Sequence, residues 1–79
     1  MSFNIEYFGV IYKDGTNYKK RYQACIRFNE KVKYIGIYAS AYEAAEHWDA
    51  CARKIGKSKK LNFPLTKDLS HIILPTWLQ

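Results

Sequence analysis

Arg21-Tyr22-Gln23-Ala24-Cys25-Ile26-Arg27-Phe28 alternates without a break. Tyr22, Ala24, Ile26 and Phe28 fall on one side of the chain; Arg21, Gln23, Cys25 and Arg27 fall on the other. Such a period of two is that of a β-strand with one buried and one open face. Upstream, Tyr7-Phe8-Gly9-Val10-Ile11-Tyr12 is aromatic and β-branched, as strands prefer. Asp14-Gly15-Thr16-Asn17 between the two is a turn cluster. Downstream, Asn29-Glu30-Lys31 turns the chain into a third strand, Val32-Lys33-Tyr34-Ile35-Gly36-Ile37-Tyr38. Consecutive strands on short connections favour an antiparallel meander.

The period then changes. Ser40 followed by Glu43 is a capping box, so a helix starts just after Ser40. Ala41, Ala44, Ala45, Trp48, Cys51, Ala52 and Ile55 recur at steps of three and four. Small side chains let this helix lie close on a sheet, and Trp48 supplies the bulk of the core. Glu43 and Glu46 near its start and Arg53 and Lys54 near its end suit the helix dipole, and Gly56 is a natural stop. Lys57-Ser58-Lys59-Lys60 reads as a solvated basic loop, and Leu61-Asn62-Phe63-Pro64 closes the unit with Leu61 and Phe63 packed against it. The expected fold is α+β: three antiparallel strands within 5–38 packed on one helix near 41–55, followed by a short C-terminal extension, 65–79. That extension is too apolar for a linker, and Ile72, Ile73 and Trp77 are expected to pack it back on the domain.

The chain has 79 residues, which is one small domain burying only about 60% of its unfolded surface. So short a chain leaves little to build a pocket once a core is made, and no small-molecule substrate, cofactor or enzymatic activity is expected. No apolar run is long enough to span a membrane. Met1-Ser2-Phe3-Asn4 has no basic stretch leading into an apolar one, so no secretory leader is expected. Cys25 and Cys51 are too few for a disulfide framework and lack zinc-ligand spacing, which fits a reducing intracellular compartment. His47 and His71 have no third ligand at a sensible spacing, so no metal site is expected and they read as surface or capping residues. Cys25 reads as a small residue on the open face rather than a reactive thiol.

Charge is the stronger clue. The net charge is +6, divided as +4 over residues 1–38, −3 over 39–52 and +5 over 53–79. Two basic regions flanking an acidic one suggest a molecule with one positive side and a polyanionic partner. A helix covers one face of the three-stranded sheet, and nothing in 1–64 remains to cover the other. On that open face the second strand offers Arg21, Gln23 and Arg27. Arg pairs with guanine by two hydrogen bonds, Gln does the same with adenine, and the major groove admits β-strands.

Five pieces of the chain, in order and spacing, resemble one family. Tyr7-Phe8-Gly9-Val10 answers its opening Tyr-Arg-Gly-Val. Tyr22-Gln23-Ala24-Cys25-Ile26-Arg27 answers Trp-x-Ala-x-Ile-Arg, and Tyr34-Ile35-Gly36-Ile37-Tyr38 answers its aromatic-Leu-Gly-x-aromatic strand. The helix segment Glu43-Ala44-Ala45-Glu46-His47-Trp48-Asp49-Ala50-Cys51-Ala52 and the closing Leu61-Asn62-Phe63-Pro64 complete the set. The chain from Tyr7 to Pro64 is thus similar to the Apetala-two / ethylene-response-factor (integrase-type) DNA-binding domain, which sets the domain at 5–64.

The resemblance implies a sheet lying in the major groove of duplex DNA with the helix behind it. The module would belong to a transcription regulator, mobile-element protein or chromatin protein. It would act in the nucleus, or on intracellular DNA in a source without one. The family's contact positions fall on Arg27, Tyr34, Lys13 and Arg21. Gln23 shares their face, and Tyr18, Lys19 and Lys20, in a turn longer than in the plant domains, are placed to reach phosphates. Four positions depart from the family: Phe8 and Ile11 stand for first-strand arginines, Cys25 for a middle-strand Glu, and Val32 for a third-strand Arg. Phe8, Ile11 and Val32 are candidates for contact with pyrimidine 5-methyl groups, the apolar feature of that groove, so the plant family's GC-rich target is not carried over. The alternative is a protein-interaction module that keeps the fold and uses those apolar residues as its interface. A module this small commonly needs a second domain or a dimer partner for useful affinity.

Overall fold

The computed structural model describes residues 7–12, 22–56 and 61–79. Three strands, β1 (Val10–Tyr12), β2 (Tyr22–Phe28) and β3 (Lys31–Tyr38), form one antiparallel sheet in sequence order. A helix, α1 (Ala41–Lys54), packs on one face, and a 3-10 turn (Thr76–Leu78) stands near the end of the chain. The α+β class and the antiparallel meander expected from the alternation are both present. β1 is shorter than its apolar run: Tyr7 to Gly9 precede it, with Gly9 at φ 75.

The elements start and stop where local chemistry directs. Asn29 and Glu30 both have positive φ, 54° and 64°, the geometry of a two-residue hairpin turn matched to strand twist. The Ser40 hydroxyl accepts the Glu43 N–H at 3.1 Å, satisfying one of the orphan donors at the helix start. Gly56, at φ 85, takes the left-handed position just past the helix.

The core lies between β2 and α1. Val10, Ala24 and Ile26 from the sheet meet Ala44, Ala45, Trp48, Cys51 and Ala52 from the helix. The alanines bring the helix backbone near the sheet, and the Trp48 indole fills the space over Gly9. A Cβ at Gly9 would run into that ring, so the position requires glycine for room as well as for its backbone angle. Burial pushes the Cys51 thiol up to about 11.

One irregularity sets which β3 residues face where. Gly36 pairs with Ala24 while Tyr34 pairs with Cys25, so Ile35 is an extra residue on β3: a β-bulge. Tyr22 pairs with Tyr38, on the helix side, where the Tyr38 ring stacks on His47 at 4.1 Å between centroids. The burial of Tyr38 pushes its phenol up to about 12, with the nearby acidic groups Cys51, Tyr34 and Glu43 adding to the shift. His47 also places Nδ1 2.8 Å from the Glu43 carbonyl, so this histidine is a helix-surface residue, as expected.

The extension packs on the same core, through Trp77 as expected but not through Ile73. Leu69 is buried, and Leu74, Trp77 and Leu78 pack against the core cluster. Trp77 lies 6.1 Å from the Phe28 ring, and its indole N–H donates to the Tyr34 carbonyl at 2.9 Å. Ile73 is 83% exposed, against expectation. Ile72, Ile73 and Leu74 follow one another in irregular backbone, where successive side chains point apart; Ile72 and Leu74 are half-buried and Ile73 is outside.

Candidate nucleic-acid interface

The register assembles the face opposite α1 in three cross-strand rows. Ile11 pairs with Gln23, and Gln23 with Ile37; Cys25 pairs with Tyr34; Arg27 pairs with Val32. Ile11, Arg27, Val32 and Tyr34 are exposed, Val32 to 72%. Gln23, Cys25 and Ile37 are half-buried. Among the described residues no element packs on this side. Within the face, Gln23 Nε2 donates to Cys25 Sγ at 2.9 Å, which holds the carboxamide along the strand.

Gln23, Arg27 and Tyr34 are therefore brought together as expected, with Ile11 and Val32 beside them. Phe8 is not part of these rows. It precedes β1, and its ring lies 6.4 Å from Trp48 of the helix, leaving it 52% exposed at the end of the sheet. Counting by twos sets Phe8 with Val10 and opposite Ile11; it is expected beside Ile11 only because the resemblance puts both at first-strand arginine positions. Lys13, Tyr18, Lys19, Lys20 and Arg21 lie outside the described residues.

Ile37 is a residue of this open face that the sequence pattern did not place there. Unbroken alternation in β3 puts Gly36 and Tyr38 with Tyr34; the bulge puts Ile37 there instead. The available signal was Gly36, since a glycine inside a strand pattern commonly marks a bulge.

The placement of Phe8 and the loop beneath it depends on a buried carboxylate that the sequence reading also passed over. Asp49 is fully buried in α1, and its two oxygens accept the backbone N–H groups of Asn62, at 2.9 Å, and Phe63, at 2.7 Å. Asn62 in turn pairs with the Phe8 backbone, accepting its N–H at 2.6 Å and donating to its carbonyl at 3.1 Å. One turn further along the helix, Arg53 donates to the Lys67 and Pro64 carbonyls, each at 2.8 Å. The segment Leu61-Asn62-Phe63-Pro64 is thus a strap from the helix to the chain entering β1. Every one of its polar backbone contacts to Asp49 satisfies a charge that burial would otherwise penalise.

Charge divides between the layers. The three strands hold Arg27, Lys31 and Lys33 and no acid, whereas α1 carries Glu43, Glu46 and Asp49. Glu46 is engaged on that side by Lys67 at 3.6 Å and by His71 at 3.9 Å. Lys67 also donates to the Tyr42 hydroxyl at 2.8 Å and sits 5.2 Å from the Tyr42 and Phe63 ring centroids. Among the described residues no group of His, Cys, Asp or Glu side chains is placed to hold a metal ion, and no helix is long and apolar enough to cross a membrane. Comparison with protein-family models, with curated proteins and with solved structures finds no match to this chain.

Proposed function

We propose that this chain is a duplex-DNA-binding module that lays its sheet in the major groove with α1 behind it, in the manner implied by its resemblance to the Apetala-two / ethylene-response-factor domain. The observation that carries the reading is the open sheet face: Arg27 and Gln23 stand on it, beside Tyr34, in a layer whose strands contain cations and no acid. A polyanion approaching this side meets Arg27, while Lys31 and Lys33, paired with Phe28 and Ile26, and the acids of α1 belong to the other face. Arg27 suits guanine and Gln23 suits adenine. By the resemblance Arg21 reads a base alongside Arg27 and Lys13 is a further contact position, while Tyr18, Lys19 and Lys20 supply phosphate contacts that fix the register on the duplex. The setting is a transcription regulator, mobile-element or chromatin protein working on nuclear DNA.

The exposed Ile11, Val32 and Tyr34 favour a second reading, a protein-interaction module on the same face. Salt separates the two. Titration against duplex DNA at rising ionic strength should give a linear fall of log K with log salt, at about −0.9 per phosphate neutralised. Absence of duplex binding with a folded chain decides for the protein partner.

A further inference from the structure

The row Ile11–Gln23–Ile37 has a chemical pattern of its own. A carboxamide sits on the central strand, with one aliphatic side chain on each neighbouring strand. Neighbouring strands lie about 4.8 Å apart. In the major groove an A·T pair presents the adenine N7 acceptor and N6 donor at one side and the thymine 5-methyl group at the other. A Gln centred on adenine therefore places an isoleucine from the adjoining strand at the methyl of the paired thymine. We infer that Ile11, Gln23 and Ile37 form an A·T-reading row in which the isoleucines recognise the thymine 5-methyl group. The inference rests on the duplex-DNA reading of this face.

The geometry supports each part. Gln23 Nε2 carries two hydrogens; one is held by Cys25 Sγ, and the other, with Oε1, remains to match adenine N7 and N6. That internal bond orders the carboxamide before binding, which lowers the entropy lost on contact. Ile11 is 47% exposed, so it has apolar surface left to bury against a methyl. Ile37 reaches the row only because of the extra residue Ile35 on β3. Val32, beside Arg27, lies at the other end of the face and outside the row. Arg27 thus reads its base separately from the A·T pair.

The test begins with selection of duplex sites from a randomised pool by the whole chain. The selected duplex is then titrated with thymine, uracil, 5-methylcytosine paired with guanine, or cytosine paired with guanine at each preferred A·T position. Removing a methyl in contact, thymine to uracil, should weaken binding about fourfold for each contact. The loss should disappear in Ile11→Ala or Ile37→Ala, whichever side chain meets that methyl. The 5-methylcytosine duplex, which keeps the methyl but replaces adenine by guanine, should fall below thymine and above cytosine, and Gln23→Ala should narrow its gap to thymine. Because the methyl is removed from the DNA, the protein fold is untouched in the main comparison. Equal binding of thymine and uracil duplexes, with a steep salt dependence retained, overturns the inference and leaves the DNA reading standing. Absence of salt-dependent duplex binding overturns both.

Discussion

The two faces of β2 come from one alternating stretch and meet opposite demands. On the helix side Ala24 and Ile26 are almost completely buried in the core cluster. On the other side Gln23 and Cys25 are half-buried, and Arg27 is exposed beside a Val32 that leaves most of its surface in solvent. The covered face contributes stability through apolar burial, which punishes any change of volume. The open face contributes little to stability, and its side chains are at liberty to be chosen for a partner. Substitutions on the two faces should therefore separate cleanly into those that unfold the chain and those that alter binding.

The sharpest test of the covered face is Trp48→Ala. Trp48 is the one large side chain among the small residues that α1 turns to the core, and it fills the space over Gly9. The expected loss is about 3–5 kcal/mol. A domain this small holds little more than that in total, so the variant should be largely unfolded at room temperature by circular dichroism. A cooperative transition close to that of the parent would show that the extension, through Leu74, Trp77 and Leu78, can hold the sheet without the helix ring.

Asp49→Asn asks whether a buried polar group obeys the same rule. The substitution keeps one acceptor oxygen but turns an N–H donor toward a backbone N–H that had been accepted. The strap at Asn62 and Phe63 loses a charge-assisted bond, and the cost should be about 1.5–3 kcal/mol in urea unfolding. Since Asn62 carries the link to Phe8, amide exchange at Phe8 and in β1 should quicken more than exchange in β3. Equal quickening in both would mean the strap acts on the whole domain and not on the first strand.

These two sites also mark what the chain discloses about itself. β2, the Ser40 cap and the Gly56 stop are legible because each depends on residues within a few positions: side-chain alternation, a hydroxyl reaching three residues on, a left-handed glycine. Asp49 was invisible as a clamp because its partners are 13 and 14 residues away and are backbone groups, which leave no pattern in side-chain identity. The bulge at Ile35 is likewise a property of how two strands pair, so the assignment of Ile37 to the open face needed the register. Ile73 was expected inside because it is apolar, but one turn-rich segment cannot bury three successive side chains on the same side. Ile11 and Val32, which the resemblance puts on the open side, stand there in the register, whereas Phe8, which it puts with them, lies against Trp48.

On the open face, Arg27→Ala should reverse the pattern of Trp48. Arg27 is exposed and its backbone is already held in the β2–β3 ladder, so stability should move by less than about 0.5 kcal/mol. Duplex binding should weaken by about 1–3 kcal/mol if the guanidinium makes a two-pronged base contact, and preference at one base position should relax. Unchanged affinity for the best site would remove this face as the reading surface. A large loss of stability would instead break the division between the faces, since it would show the open side holding the fold together.

The smallest expected effect lies at the turn that joins β2 and β3. Glu30 occupies the second position of a turn that needs positive φ at both residues, and at 64° it sits where a side chain costs about 1–2 kcal/mol. Asn29 tolerates the same region far better, and glycine is the favoured residue after it. Glu30→Gly relieves the strain but frees the unfolded chain, a loss of about 0.5–1 kcal/mol. The net gain should be about 0.5–1 kcal/mol in urea unfolding, with no change in the register of β2 against β3 by amide coupling patterns. The substitution also removes the acid standing between two strands that otherwise carry only cations. Duplex affinity at low salt should therefore rise slightly, and the rise should vanish as salt screens it. Stability and affinity would then improve together by separate routes, backbone strain for one and field for the other. A gain in stability with a fall in duplex affinity would mean that Glu30 itself contacts the partner, and would extend the working face around the turn.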